Sequence, residues 1–247
     1  MLIRRPALVA LSAGLLSLLA PVGQAAGKKD APLPKAISQD AQTDLAKKLP
    51  PFFGLFGTTE FIAKMGFRSK VGRFIEYQIE PKGQASPPNQ SLRIAEVGPE
   101  VKGARWIEIT AQSQGLEGQG LRILTRGEKE GNIERLIVRA GGMPAMEFPL
   151  ESMGLEGGSG AFTMTNEMLG EAKHLGKETI TVPIGQFVTD HWLIEGKQKK
   201  KLELWVTAED RVPFVGIVKM TTDQGFAVAS KVGTEAVAAI PVPPREN

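Results

Sequence analysis

Residues 177–232 read KETITVPIGQFVTDHWLIEGKQKKKLELWVTAEDRVPFVGIVKMTTDQGFAVASKV. Apolar and polar residues alternate over 177–182, 186–195, 201–207, 212–221 and 226–232, with little but turn residues between the segments. The turns fall at Pro183-Ile184-Gly185, Glu195-Gly196-Lys197, Ala208 to Arg211 and Asp223-Gln224-Gly225. Strands joined this tightly must run antiparallel, and a period of two leaves one face apolar and the other polar. The stretch predicts a β meander.

The same rhythm extends toward the N-terminus. Over 73–80 it places Ile75, Tyr77 and Ile79 on one face and Glu76, Gln78 and Glu80 on the other. Further strands are expected over 92–97, 104–112, 120–126, 133–140 and 145–150, punctuated by Gly98, Gly103, Gly115 and Gly118. Four glycines within 154–160 predict a loop, 161–165 a short strand, and 166–176 a helical turn or irregular crossover. The expected fold class is mainly β: a strongly curved antiparallel sheet or half-open β barrel of about 10–11 strands, with one or two short capping helices. Curling protects the edges of so large a sheet and gives its apolar face something to cover.

Arg4 and Arg5 precede an apolar run over 7–20, and small residues follow at Gly23, Ala25 and Ala26. That pattern predicts a secretory signal peptide over 1–25 and a periplasmic, soluble product. The chain has no cysteine, so neither a disulfide nor an acylated cysteine anchor is available. Its formal net charge is +3, which falls to +1 without Arg4 and Arg5; so neutral a surface offers no global field for nucleic acid. Residues 26–37 read as a flexible leader, 71–236 as one β domain and 237–247 as a flexible tail. Over 38–70, Ser38 offers a helix N-cap and Pro50-Pro51 a stop. Phe52, Phe53, Phe56, Phe61 and Phe67 follow, five of the eleven phenylalanines, and predict a plug or lid over one end of the β core.

Three motifs carry a family resemblance. They are the run Val182-Pro183-Ile184-Gly185-Gln186-Phe187, the strand Leu202-Glu203-Leu204-Trp205-Val206, and Val212-Pro213-Phe214-Val215-Gly216-Ile217-Val218-Lys219. In this order they resemble exported bacterial β proteins related to the periplasmic lipoprotein carriers (LolA/LolB-like). The resemblance implies a half-open barrel that receives acyl chains on its apolar face. A lipid-anchored receptor role does not fit a chain without cysteine.

Catalytic chemistry finds little support in the residues. His174 and His191 are the only histidines, and Asp190, although adjacent to His191, must face the other side of any strand they share. The pairs Glu128/Glu130 and Glu209/Asp210 fall in predicted turns, and no serine sits in a nucleophile elbow. The expectation is therefore a non-enzyme without cofactor or metal site. Met143, Met146, Met153, Met164 and Met168 cluster loosely; thioethers suit copper(I), but methionine more commonly forms an adaptable apolar wall.

The candidate ligand-binding residues are thus Phe52, Phe53 and Phe56 as lid, and Tyr77, Ile107, Phe187, Leu204, Phe214, Met143 and Met146 as wall. Lys197, Lys199, Lys200 and Lys201, at a predicted hairpin tip, either protect a sheet edge or touch an anionic membrane surface. Together these features predict a monomeric carrier for a lipid or other acyl-bearing cargo. The alternative is an envelope scaffold or assembly protein whose barrel is filled by its own side chains and which contacts other envelope proteins.

Overall fold

The computed structural model describes residues 68, 70–82, 91–101, 103–112, 120–126, 132–139, 144–148, 172–195, 201–223 and 225–244. All belong to the compact unit running from Gly54 to Asn247. The expected capping helix, the plug or lid over 38–70 apart from Arg68 and Lys70, and the short strand over 161–165 lie outside the described residues.

The described residues form one curved antiparallel sheet of 11 strands that does not close. In chain order these are β1 (Phe74–Pro81), β2 (Ser91–Val101), β3 (Ala104–Gln112), β4 (Gly120–Arg126), β5 (Asn132–Arg139) and β6 (Met146–Phe148). They continue with β7 (Ala172–Val182), β8 (Gly185–Glu195), β9 (Lys201–Val206), β10 (Ile217–Thr222) and β11 (Gly225–Gly233). The spatial order is β6-β5-β4-β3-β2-β1-β11-β10-β9-β8-β7. Two meanders, β1–β6 and β7–β11, are thus joined side by side where the first strand pairs with the last. Their outer strands, β6 and β7, are the two ends of the sheet.

Two strand boundaries need correction. Residues 172–176, read as part of a helical turn or crossover, are strand: they extend β7 and pair Ala172 with Ile194 and Lys173 with Leu193. Leu175 is the extra residue of a bulge between His174 and Gly176, which breaks the alternation there. Residues 212–216, read as the start of a strand, form a closed loop instead. Phe214 has φ 59°, and Gly216, at φ 74°, returns its carbonyl to the Thr207 amide at 2.9 Å. Arg68 reaches into this loop, donating to Thr207 O at 2.7 Å and to Ala208 O, while its backbone exchanges two hydrogen bonds with Phe214.

The register assigns every side chain to a face. On one face, here the apolar face, Ile75 pairs with Ile94, Ile94 with Ile109, Ile109 with Leu121 and Leu121 with Val138. In the other meander Met220 lies beside Leu204 and Leu204 beside Trp192 on the same face. The opposite face carries Phe74, Ala95, Trp106, Leu124 and Ile137, but also Arg93, Glu108 and Arg122. A sequence reading makes this the solvent face. It is instead covered over β1–β5 by the segment after β11, which crosses it as a strap and buries Ile240 completely in an apolar cluster. Ala236, Ala238, Ile240 and Val242 of this strap pack against the cluster, while Val237 between them is 79% exposed.

Candidate functional site

The apolar face follows from the alternation of the strands, and polar groups interrupt it: Glu96, 5% exposed and 3.9 Å from Arg105, shares it with Ile107. Tyr77, 4% exposed, lies in the middle of the sheet and donates its hydroxyl to Ile217 O at 2.9 Å, tying β1 to β10. Burial pushes its phenol well above the ordinary tyrosine range. Tyr77, Ile107 and Leu204, all expected as wall residues, are buried on this face, and Met146 is half-buried on it at the β6 end. Phe187 is not with them. Its register partner is Ile180, and it alternates with Val188, so it lies on the opposite face with Arg211 stacked 4.1 Å above its ring. Phe214 is likewise displaced, into the β9–β10 loop, where it is 2% exposed. Phe52, Phe53, Phe56, Met143, Lys197, Lys199 and Lys200 lie outside the described residues. Lys201 opens β9 at the surface and pairs with Glu195 at 3.3 Å.

At the β7 end the apolar face turns polar. His174 and Lys177 on β7 both meet Asp190 on β8, His174 Nε2 at 2.9 Å from Oδ1 and Lys177 Nζ at 3.0 Å. The bond from Lys177, followed by that from His174, holds the Asp190 carboxyl below the usual carboxylate range. The His174 ring lies 4.6 Å from that of Trp192. His191 occupies the other face, as alternation requires. Its Nδ1 is 3.0 Å from Glu178 Oε1 and its Nε2 2.9 Å from Glu203 Oε2, while the ring stacks on Trp205 at 4.3 Å. Trp205 donates its indole N–H to Glu178 and carries Lys219 over its ring, 4.3 Å from the centroid. The sheet thus separates the two histidines, and each is engaged by carboxylates. Among the described residues no group of three or more His, Asp or Glu side chains could hold a metal ion.

The strap face was missed by sequence reasoning. Glu108 is 0% exposed and accepts the amide hydrogens of Ala239, at 3.0 Å, and Ile240, at 2.9 Å, with Arg93 3.8 Å away. Arg122, directly across from it in the register, is 3% exposed. It donates to Ile240 O at 2.8 Å and to Gly98 O, and lies 4.8 Å from the centre of the Trp106 ring. Burial pulls its guanidinium below the ordinary arginine range, and Glu108 opposes that shift. Arg139 donates to Ala239 O at 3.2 Å and Arg135 to Pro243 O at 3.3 Å, Arg135 being also paired with Glu147.

No protein-family model matches the chain, and no curated protein matches it in sequence. Among solved structures, similarity extends to a protein from Bacteroides fragilis with a YmcC-like fold, at 14% identity over 68% of this chain and 98% of that one, with a TM-score of 0.38. It extends also to MucB in the MucA/MucB complex of Pseudomonas aeruginosa, at 9% identity over 77% of this chain and 59% of that one, TM-score 0.40. A lipoprotein-like chain from Parabacteroides distasonis is similar at 10% identity over 68% of this chain and 97% of that one, with a TM-score of 0.33.

Proposed function

We propose that the protein is a periplasmic, non-enzymatic carrier that holds the acyl chain of a lipid, or of another acyl-bearing molecule, against the apolar face of its open sheet. The observation that carries this reading is the continuity of that face: it passes from Val138 on β5 through Ile94 and Ile75 to Leu204 and Trp192 across the β1–β11 junction, in a sheet left open between β6 and β7. Tyr77, Ile107, Leu204 and Met146 are its proposed wall. A sixteen-carbon chain buried there would gain on the order of 10 kcal/mol, at about 0.8 per methylene. A second reading, an envelope scaffold with a filled interior, is favoured by a different observation. Ile75, Leu136 and Leu204 are already at 1% exposure or less within the chain itself, so cargo would have to displace part of it.

Native mass spectrometry of the protein purified from its own host separates the two, with fluorescent fatty-acid titration of the wild type as the quantitative arm. A co-purifying lipid and saturable fatty-acid binding are expected. A well-folded protein that binds neither would sink the carrier and leave the scaffold.

A further inference from the structure

The groove beneath the strap has the construction of a peptide-recognition site, and it owes nothing to the apolar face. The Ala239–Ile240 segment is read on both sides of its backbone. Two successive N–H groups enter the fully buried carboxylate of Glu108, while the two carbonyls are taken by Arg139 and Arg122. Side-chain recognition is concentrated in one residue, Ile240, which is 0% exposed among Phe74, Val97, Trp106, Leu124 and Ile137. Pro241, Pro243 and Pro244 follow it. Prolines bring no N–H to satisfy and hold the chain extended in advance, so little ordering entropy is lost on docking.

Plain packing would not call for a buried carboxylate and a buried guanidinium. Such groups cost desolvation energy, and here they match the polar backbone of one particular segment. The strap is also not part of any ladder. After Gly233 it passes through exposed Thr234 and Glu235, and among the described residues its backbone bond before the groove is that from Ala236 N to Gly72 O, at 2.7 Å.

We propose that this groove is a recognition site for extended peptides of the pattern small-small-Ile-Pro-apolar-Pro, filled in cis by residues 238–243. The strap detaches from the finished sheet as a unit, and the vacated groove takes the same pattern from another chain. A tethered strap acts at an effective concentration in the millimolar range, so it outcompetes a free peptide present at micromolar levels.

The test uses the full chain and a fluorescein-labelled peptide, AVAAIPVPP, of residues 236–244. Ile240→Asp weakens the cis strap and leaves the groove residues untouched. By fluorescence anisotropy this variant should bind the peptide at least about tenfold more tightly than the wild type. The same peptide carrying I240D should not bind. Equal binding by the wild type and a folded variant, or equal binding of the two peptides, overturns the proposal. Amide hydrogen exchange on the wild type needs no variant. The Ala239 and Ile240 amides should exchange at least about tenfold faster than those of Trp106 and Ile107 in β3, reporting a local opening. Exchange at matching rates would mean that the strap leaves only on global unfolding, and would equally overturn it.

Discussion

Ile137 and Ile240 are both fully buried in the same apolar cluster, one from strand β5 and the other from the strap, and truncating each to alanine should give different unfolding behaviour. Each change removes three carbons, worth about 0.8 kcal/mol apiece in transfer energy, and the cavity left behind brings the expected total to about 2–5 kcal/mol. For Ile137→Ala the ladder bonds to β4 hold the backbone in place, so the full cost falls on global stability: the urea midpoint drops and the slope of the transition stays constant. Ile240→Ala has a limit. Once its cost exceeds the docking energy of the strap, the strap leaves, and no further loss can register. The loss should therefore level off at the docking energy of the strap, below the cost of Ile137→Ala, with a smaller slope, because the folded state of the variant has already exposed the cluster. Urea unfolding followed by tryptophan fluorescence suits both variants, since Trp106 borders the cavity. An Ile240→Ala protein that loses less than about 0.5 kcal/mol, beside an Ile137→Ala protein that loses several, would refute the claim that the strap contributes to the core.

Tyr77 is the sole tyrosine, so alkaline titration of phenolate absorbance reports it alone. Ionisation should start well above the usual value of about 10 and coincide with unfolding. Its folded-state value is raised, so the stability it contributes is intact below about pH 10 and declines as the pH climbs beyond that; ionisation near 10 in the folded protein would contradict its burial. Asp190 runs the other way: a lowered folded-state value adds stability above about pH 4 that is lost as the pH falls through the folded value. The melting-temperature gap between wild type and Asp190→Asn should accordingly close in acid, and a gap that widens there would reverse the assignment. Gly216→Ala should cost more than about 2 kcal/mol in a denaturant melt, because φ is positive and the new Cβ would run into Thr207 O and the Arg68 guanidinium. A neutral result would show that the β9–β10 loop can relax.

Strand existence was legible almost everywhere, because hairpin turns mark themselves with glycine and the period of two survives most of each strand. The boundaries of β3 and β4 are those the alternation predicts. Reading failed where alternation was broken by backbone geometry. The bulge at Leu175 hides the first half of β7, and Val212-Pro213-Phe214-Val215 is an apolar run that imitates a strand while Phe214 turns left-handed. Phe187 shows the same limit for the wall. Residues on both faces of β8 are buried, Phe187 on one and Trp192 on the other, so hydrophobicity alone could not say which parity belongs to the candidate ligand face.

The strap face was illegible for a different reason: whether a polar parity faces water depends on what lies over it, and the covering segment comes some 130 residues after Glu108. Glu108 and Arg122 alternate with isoleucines and leucines as surface residues do. What could have betrayed them is the company they keep. Phe74, Trp106 and Leu124 share their parity, and a face carrying large apolar residues beside opposite charges paired across strands is built to be covered. That pattern separates the two faces by chemistry as well as by position. The apolar face is largely aliphatic, with Tyr77 and Glu96 as buried polar groups of its first meander. The strap face sets a buried carboxylate and guanidinium beside one apolar cluster, so the backbone of the strap finds its polar partners where Ile240 finds its apolar ones.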